Sequence, residues 1–183
     1  MNDTASSRWL SPAQLTALGF LALILTGTVL LTMPFSSADG TATAPMSALF
    51  TATSATTLTG LVTEDTGSHW SLAGQVIVLA LIQVGGLGIM SITSLTGMLL
   101  TGRVKLRSRY STAAEGRPIL EGGVRRTLVA TLLLTFFFEA VVAAILFIRF
   151  ATTYDMPLPR AAWEGVFHAI SAFNNAGFGL RSD

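Results

Sequence analysis

The sequence contains no cysteine, which excludes disulfides and thiolate metal sites. It is also poor in charge. Asp, Glu, Lys and Arg make up 11% of its 183 residues, against about 25% in an ordinary soluble domain. A large core does not explain that deficit, because a chain of this size must still cover itself with polar surface. The net charge of +1 gives no basic field, so nucleic acid is not an expected partner. The two histidines, His69 and His168, are too far apart to suggest a metal site alone. No Ser-His-Asp set, carboxylate pair or metal cluster stands out, and the chain does not read as an enzyme.

Hydrophobic residues make up 51% of the chain, and lipid burial accounts for them directly. Three stretches approach or exceed the roughly 20 apolar residues that cross a bilayer. They are about Leu15 to Phe35, a segment between Trp70 and Leu100, and about Val124 to Phe150. Helix is the expected form of each, because lipid offers backbone groups no partners. The first could be mistaken for a secretion signal, with Arg8 ahead of it. Its uncharged stretch runs from Trp9 to Ala38, well beyond the roughly 7–15 residues of a signal core, so it reads as a retained span.

Seven basic residues, Arg103, Lys105, Arg107, Arg109, Arg117, Arg125 and Arg126, lie between the second and third spans. Basic segments stay inside, so this linker and the N-terminus are expected in the cytoplasm. The opposite side carries Asp39, Glu64, Asp65, Asp155 and Asp183 against Arg149, Arg160 and Arg181. An acidic outer mouth would raise local cation concentration; solvated loop residues are the plainer explanation of each acid by itself.

Residues Leu49 to Leu61 lie over Val166 to Phe178 at an offset of 117, with Phe, Ala, Ser, Ala and Gly coinciding without a gap. The same offset lays Leu15–Met33 over Leu132–Phe150. The implied unit is a spanning helix, an outer loop, a short apolar segment ending in glycine, and a second spanning helix. The short segments, about Ala44 to Thr56 and Arg160 to Phe173, make half-helices; the first would be roughly 20 Å long, too short to cross. Each must return to its own side as a re-entrant element followed by irregular backbone. The second unit is expected to be truncated after its loop.

A dehydrated cation needs several oxygens at close range, and carbonyls of a chain turned toward an axis supply them. Glycine permits the dihedrals this needs. Thr56-Thr57-Leu58-Thr59-Gly60 and Asn174-Asn175-Ala176-Gly177 fit that requirement, as do half-helices whose partially negative C-terminal ends point inward. Chemistry alone leaves a second reading open, a pair of glycine turns that hold no ion.

Three motifs carry a resemblance. Thr51-Ala52-Thr53-Ser54-Ala55-Thr56-Thr57-Leu58-Thr59-Gly60-Leu61 is similar to the first pore loop of the Trk/Ktr/HKT potassium transporters. Gln83-Val84-Gly85-Gly86-Leu87-Gly88-Ile89-Met90 resembles the glycine-rich signature of that family's following helix, and Phe173-Asn174-Asn175-Ala176-Gly177-Phe178 its second pore loop. The resemblance covers about residues 12–183. It implies an all-α integral membrane fold of repeated helix–pore loop–helix units around a pseudo-fourfold pore. The filter positions would be Thr57, Leu58, Thr59, Gly60, Asn174, Asn175, Ala176 and Gly177, holding potassium through backbone carbonyls without a side-chain metal site or a resident cofactor. Glycine rather than serine at position 60 goes with potassium over sodium in this family.

The short segment before the first span looks nearer the Ktr type, which implies a plasma-membrane homodimer on a cytosolic nucleotide-binding ring. The expected organisation is a cytoplasmic N-terminus (1–11), a first repeat (12–102), a basic cytoplasmic linker (103–123) and a truncated second repeat (124–183). The implied function is potassium uptake through the carbonyl filter. The alternative is a non-conducting structural or regulatory membrane subunit, or a truncated product.

Four further features are read from the residues. Gly85-Gly86-Leu87-Gly88 lacks the spacing of a dinucleotide loop and sits in an apolar span, so close helix packing is expected. Glu139 lies inside the third span, where a charge costs roughly 2.5–3.5 kcal/mol, so it should face protein as a structural acid with a partner. His69 beside Trp70 reads as an anchor at the outer interface, and His168 as facing other helices. Leu58→Val is expected to leave the first loop nearly intact.

Overall fold

The computed structural model describes residues 12–89 and 120–181. The described chain is all α. Helix α1 spans Pro12–Thr32, a single 3-10 turn spans Pro34–Ser36, α2 spans Pro45–Thr57, α3 spans Leu72–Ile89, α4 spans Leu120–Thr153 and α5 spans Leu158–Phe173. Three of these, α1, α3 and α4, are long and apolar enough to cross a membrane. The linker at 103–123 falls outside the described residues up to position 119, as do Met90 and Asp183.

Prolines set several boundaries. Pro34 follows Met33, which is extended at φ −72° and ψ 145°, and α1 has ended before it. Pro45 opens α2 in the first helical turn, where its missing N–H costs nothing, and Pro159 does the same for α5. Helix α4 begins before the expected Val124 and ends after the expected Phe150. Its 34 residues make about 51 Å at 1.5 Å per residue, more than the roughly 30 Å hydrocarbon thickness. No proline interrupts it, so nothing in its sequence stops the helix at the bilayer edge.

α1 and α4 keep large apolar side chains outward, among them Leu18, Leu21, Leu25, Phe137, Ile145 and Ile148. Lipid is the solvent that suits such surfaces. The core lies between α1, α2, α3 and α5, built on Leu31, Ala52, Val78, Ile82 and Phe167. Small residues bring the helices close. A Cβ on Gly27 would meet Ala52 at 3.3 Å, and one on Gly165 would meet the Ala143 carbonyl at 3.0 Å. The end of α1 and the start of α3 are clipped by one antiparallel bridge, Ser37 with Trp70. Within it the Ala38 N–H donates to the His69 carbonyl at 2.9 Å. Trp70, beside His69, packs within the core at 1% exposure. Turning the chain back at that bridge carries the indole inward, against the outer end of the bundle.

Candidate functional site

The two short helices end in the same way. At the end of α2, Leu58 is left-handed (φ 58°) and the Thr59 N–H donates to the Ser54 carbonyl at 3.1 Å. At the end of α5, Asn175 is left-handed (φ 55°) and the Ala176 N–H donates to the Ser171 carbonyl at 2.8 Å. Both are six-to-one closures of the Schellman kind, which satisfy a helix carbonyl that would otherwise lack a partner. Two residues on, Gly60 and Gly177 take φ values of 75° and 74°. Each of these pairs is separated by 117 positions, the offset of the sequence repeat.

The loops meet at those glycines. A Cβ on Gly60 would come 3.1 Å from the Ala176 carbonyl oxygen and 3.2 Å from the Gly177 Cα. Positive φ and backbone contact together make glycine the fitting residue at both positions. Beyond the glycines the chains stay together, for a Cβ on Gly67 would land on the Leu180 carbonyl.

The remaining loop residues divide. Thr57 closes α2, its hydroxyl donating back to the Thr53 carbonyl at 2.8 Å. Thr59 is exposed and its hydroxyl donates to that of Ser54 at 3.1 Å. Asn175 and Gly177 are exposed, and Ala176 is buried. Leu58 is half-buried, packs against the core and is left-handed, so Leu58→Val is not a mild change. A β-branched residue at φ 58° is strained, and the dihedral is invisible in the residue type.

Asn174 is the α5 cap, and its side chain is 4% exposed. Its amide nitrogen donates to the Ile170 carbonyl at 2.9 Å, to Glu139 Oε1 at 3.3 Å and to Gln83 Oε1 at 3.3 Å. Gln83 in turn donates from Nε2 to Glu139 Oε2 at 3.3 Å. Glu139 is 4% exposed. It therefore faces protein, with both carboxyl oxygens accepting. Gln83 stands in the glycine motif, and its partners are not legible there. The available signal was a lone amide deep in an apolar span, which needs partners there.

The glycine motif is a packing device. A Cβ on Gly85 would land on the Thr56 carbonyl, one on Gly86 on the Asn174 amide oxygen, and one on Gly88 would meet the Phe20 ring at 3.3 Å. Consecutive glycines of α3 thus seat the ends of both short helices.

Beyond the first loop, His69 Nε2 lies 3.1 Å from the Thr43 hydroxyl and Nδ1 lies 3.8 Å from Glu64. The Ser47 hydroxyl donates to Glu64 at 3.1 Å. His69 thus ties the segment after the first loop to the start of α2. His168 keeps Nδ1 2.8 Å from the Glu164 carbonyl of its own helix, and its ring faces α4, with its centroid 5.8 Å from that of Phe150. Asp39 accepts from the Ser37 hydroxyl and from the Thr41 backbone and hydroxyl, which hold its carboxyl down at about 2. Asp65 is lowered too, first by the Ser68 hydroxyl and then by its N–H.

Comparison with known proteins agrees with this architecture. Residues 8–183 match the family model of the TrkH cation transport proteins. The chain is 41% identical over 177 residues to the Ktr system potassium uptake protein B of Bacillus subtilis, covering 94% of this chain and 38% of that protein. It is 39% identical over 175 residues to the potassium/sodium uptake protein NtpJ of Enterococcus hirae, covering 95% and 38%. A third relative, the Ktr system potassium uptake protein B of Vibrio alginolyticus, is 37% identical over 166 residues, covering 91% and 36%. The chain thus spans well under half the length of these relatives. Three spanning helices in an all-α bundle, with a family match along nearly the whole chain, establish a multi-pass membrane protein. It belongs to the Trk/Ktr/HKT superfamily, as a membrane subunit of the Ktr protein B and NtpJ kind and not as an enzyme.

Proposed function

We propose that the two glycine loops form part of a potassium path in which backbone carbonyls of residues 57–60 and 174–177 replace the hydration shell of the ion. The observation that carries this reading is the meeting of Gly60 and Gly177 with matched positive φ, each just beyond the C-terminus of a short helix. In an extended chain successive carbonyls alternate in direction. Left-handed residues at alternate positions, 58 and 60 or 175 and 177, counter that alternation and favour carbonyls grouped on one side. The negative ends of α2 and α5 add a field that favours a cation. The two relatives named for uptake, of potassium and of potassium/sodium, agree in ion class. Glycine at position 60 favours potassium between the two.

In this reading the chain supplies one helix–pore loop–helix unit of a pseudo-fourfold pore, and the first spanning helix and pore loop of a second. The basic segment 103–123 faces the cytoplasm of a plasma-membrane protein. The resemblance to Ktr-type membrane subunits implies a homodimer on a cytosolic nucleotide-binding ring as its assembly.

The test is rubidium against sodium uptake by the full-length protein in cells deficient in potassium transport. Gly60→Ser should lower the rubidium-to-sodium ratio. Gly40→Ser is the matched control, because Gly40 also has positive φ (72°) but no neighbour within 4 Å of an added Cβ. An unchanged ratio in Gly60→Ser, with expression and total transport held, would remove this loop from the carbonyl filter.

A further inference from the structure

We infer that Gln83 and Glu139 are positioning residues that fix the second loop through the side chain of Asn174, and that the first loop has no such lock among the described residues. The inference rests on the reading of the loops as the ion path.

The three side chains form a closed ring. Asn174 donates to Glu139 Oε1 and Gln83 Oε1, and Gln83 donates to Glu139 Oε2. The ring draws one member from each of α3, α4 and the α5 cap, at sequence separations of 91, 35 and 56. Asn174 and Glu139 are each 4% exposed, so water does not compete for these groups, and an unmade hydrogen bond there is costly. The fourth side of the ring is steric. Asn174 Oδ1 has no hydrogen-bond partner and lies where a Cβ of Gly86 would be. The amide is therefore held by two polar side chains and by the missing side chain of a third residue. Asn174 immediately precedes left-handed Asn175, so rotation of its side chain or shift of its backbone moves Ala176 and Gly177.

At the matching position of the first unit stands Thr57, whose hydroxyl is satisfied within its own helix by Thr53. The residue matching Glu139 is Ala22, with no polar atom to offer. The two loops share backbone conformation but not support. The second loop depends on the mutual placement of two spanning helices, and the first depends on α2 and on close backbone packing with Gly85.

The experiment compares rubidium and sodium uptake by the full-length protein, with surface expression measured for every variant. Glu139→Leu and Gln83→Leu remove ring partners. They should lower the rubidium-to-sodium ratio about tenfold, the lower end of what removing an outer-shell partner costs a metal site. Gly86→Ala, which removes no polar group but pushes the same amide, should lower it in the same direction. The pair Glu139→Gln with Asn174→Asp reverses donor and acceptor and should recover part of the ratio lost in Asn174→Asp alone. A merely structural acid would lower expression without moving the ratio in the protein that reaches the surface. Gly177→Ser separates the two levels of the argument. If it shifts the ratio while Glu139→Leu, Gln83→Leu and Gly86→Ala leave it unchanged, the lock is wrong and the loop reading stands. If none of the four shifts it, the loop reading falls and the lock with it.

Discussion

A Cβ built on Gly177 would come 2.8 Å from the Cα of Gly60. The two loops therefore touch main chain to main chain, and neither glycine can change without the other feeling it. Alanine at either position also meets a left-handed dihedral, which costs roughly 1–2 kcal/mol for an L-residue. Gly60→Ala and Gly177→Ala should each destabilise the protein by at least about that amount. Their effects should not add: residues in contact show coupling of roughly 0.5–3 kcal/mol. A double-mutant cycle on thermal unfolding in detergent checks this, and strict additivity would mean that the loops do not touch.

The glycines of α3 should rank by what each faces. At Gly85 an added Cβ would strike the Thr56 carbonyl, which is backbone at the end of α2. At Gly88 it would meet only the Phe20 ring edge at 3.3 Å, and a ring on the neighbouring helix can tilt away. Gly85→Ala is expected to lose most of the folded, monodisperse yield. Gly88→Ala should retain it and shift the melting temperature by a few degrees, equivalent to about 1 kcal/mol or less. Equal losses would show that the seating of α2 on α3 is not the limiting contact.

The outer carboxylates give a pH expectation with a definite sign. Asp39 is lowered from 3.8 to about 2 by hydrogen bonds from Ser37 and Thr41. A lowered carboxyl contributes stability above its unfolded value and loses it as pH falls through the folded one. The Ser37–Thr41 turn should therefore hold its form down to about pH 4 and loosen between about 4 and 2. Asp39→Asn should be indifferent to pH in that window. Carboxyl carbon NMR on selectively labelled protein reads the midpoint directly, and a value near 4 would remove the hydrogen-bonded turn from the account.

Local signals made much of this fold legible. Apolar runs marked α1, α3 and α4, and Pro45 and Pro159 mark the starts of the short helices. The 117-residue offset anticipated two loops of one kind, and it reappears as paired dihedrals at Leu58 and Asn175 and at Gly60 and Gly177. What stayed hidden depends on contacts between distant positions. Gln83 meets Asn174 across 91 residues, and no local pattern says which buried amide will meet which acid. Trp70 looked interfacial because it stands at the mouth of a span, yet the chain reversal at the Ser37–Trp70 bridge turns it inward. The left-handed Leu58 was hidden for another reason, since leucine has no preference for that region and is held there by the helix-end closure.

The last expectation concerns sidedness. With the basic residues from Arg103 to Arg126 on it, the segment between α3 and α4 is expected in the cytoplasm. The loops at the other ends of these helices, including exposed Thr63, must then face outward, since α3 runs from residue 72 toward that segment. The absence of native cysteine from these 183 residues makes an introduced thiol the only one among them. In intact cells a membrane-impermeant maleimide should label Thr63→Cys and not Ser111→Cys. Permeabilising the membrane should make Ser111→Cys reactive, which separates protection by the bilayer from burial in protein. Labelling of Ser111→Cys from outside, with Thr63→Cys protected until permeabilisation, would invert the orientation. The half-helices would then enter from the cytoplasmic side, and Asp39, Glu64 and Asp65 would lie at an inner rather than an outer mouth.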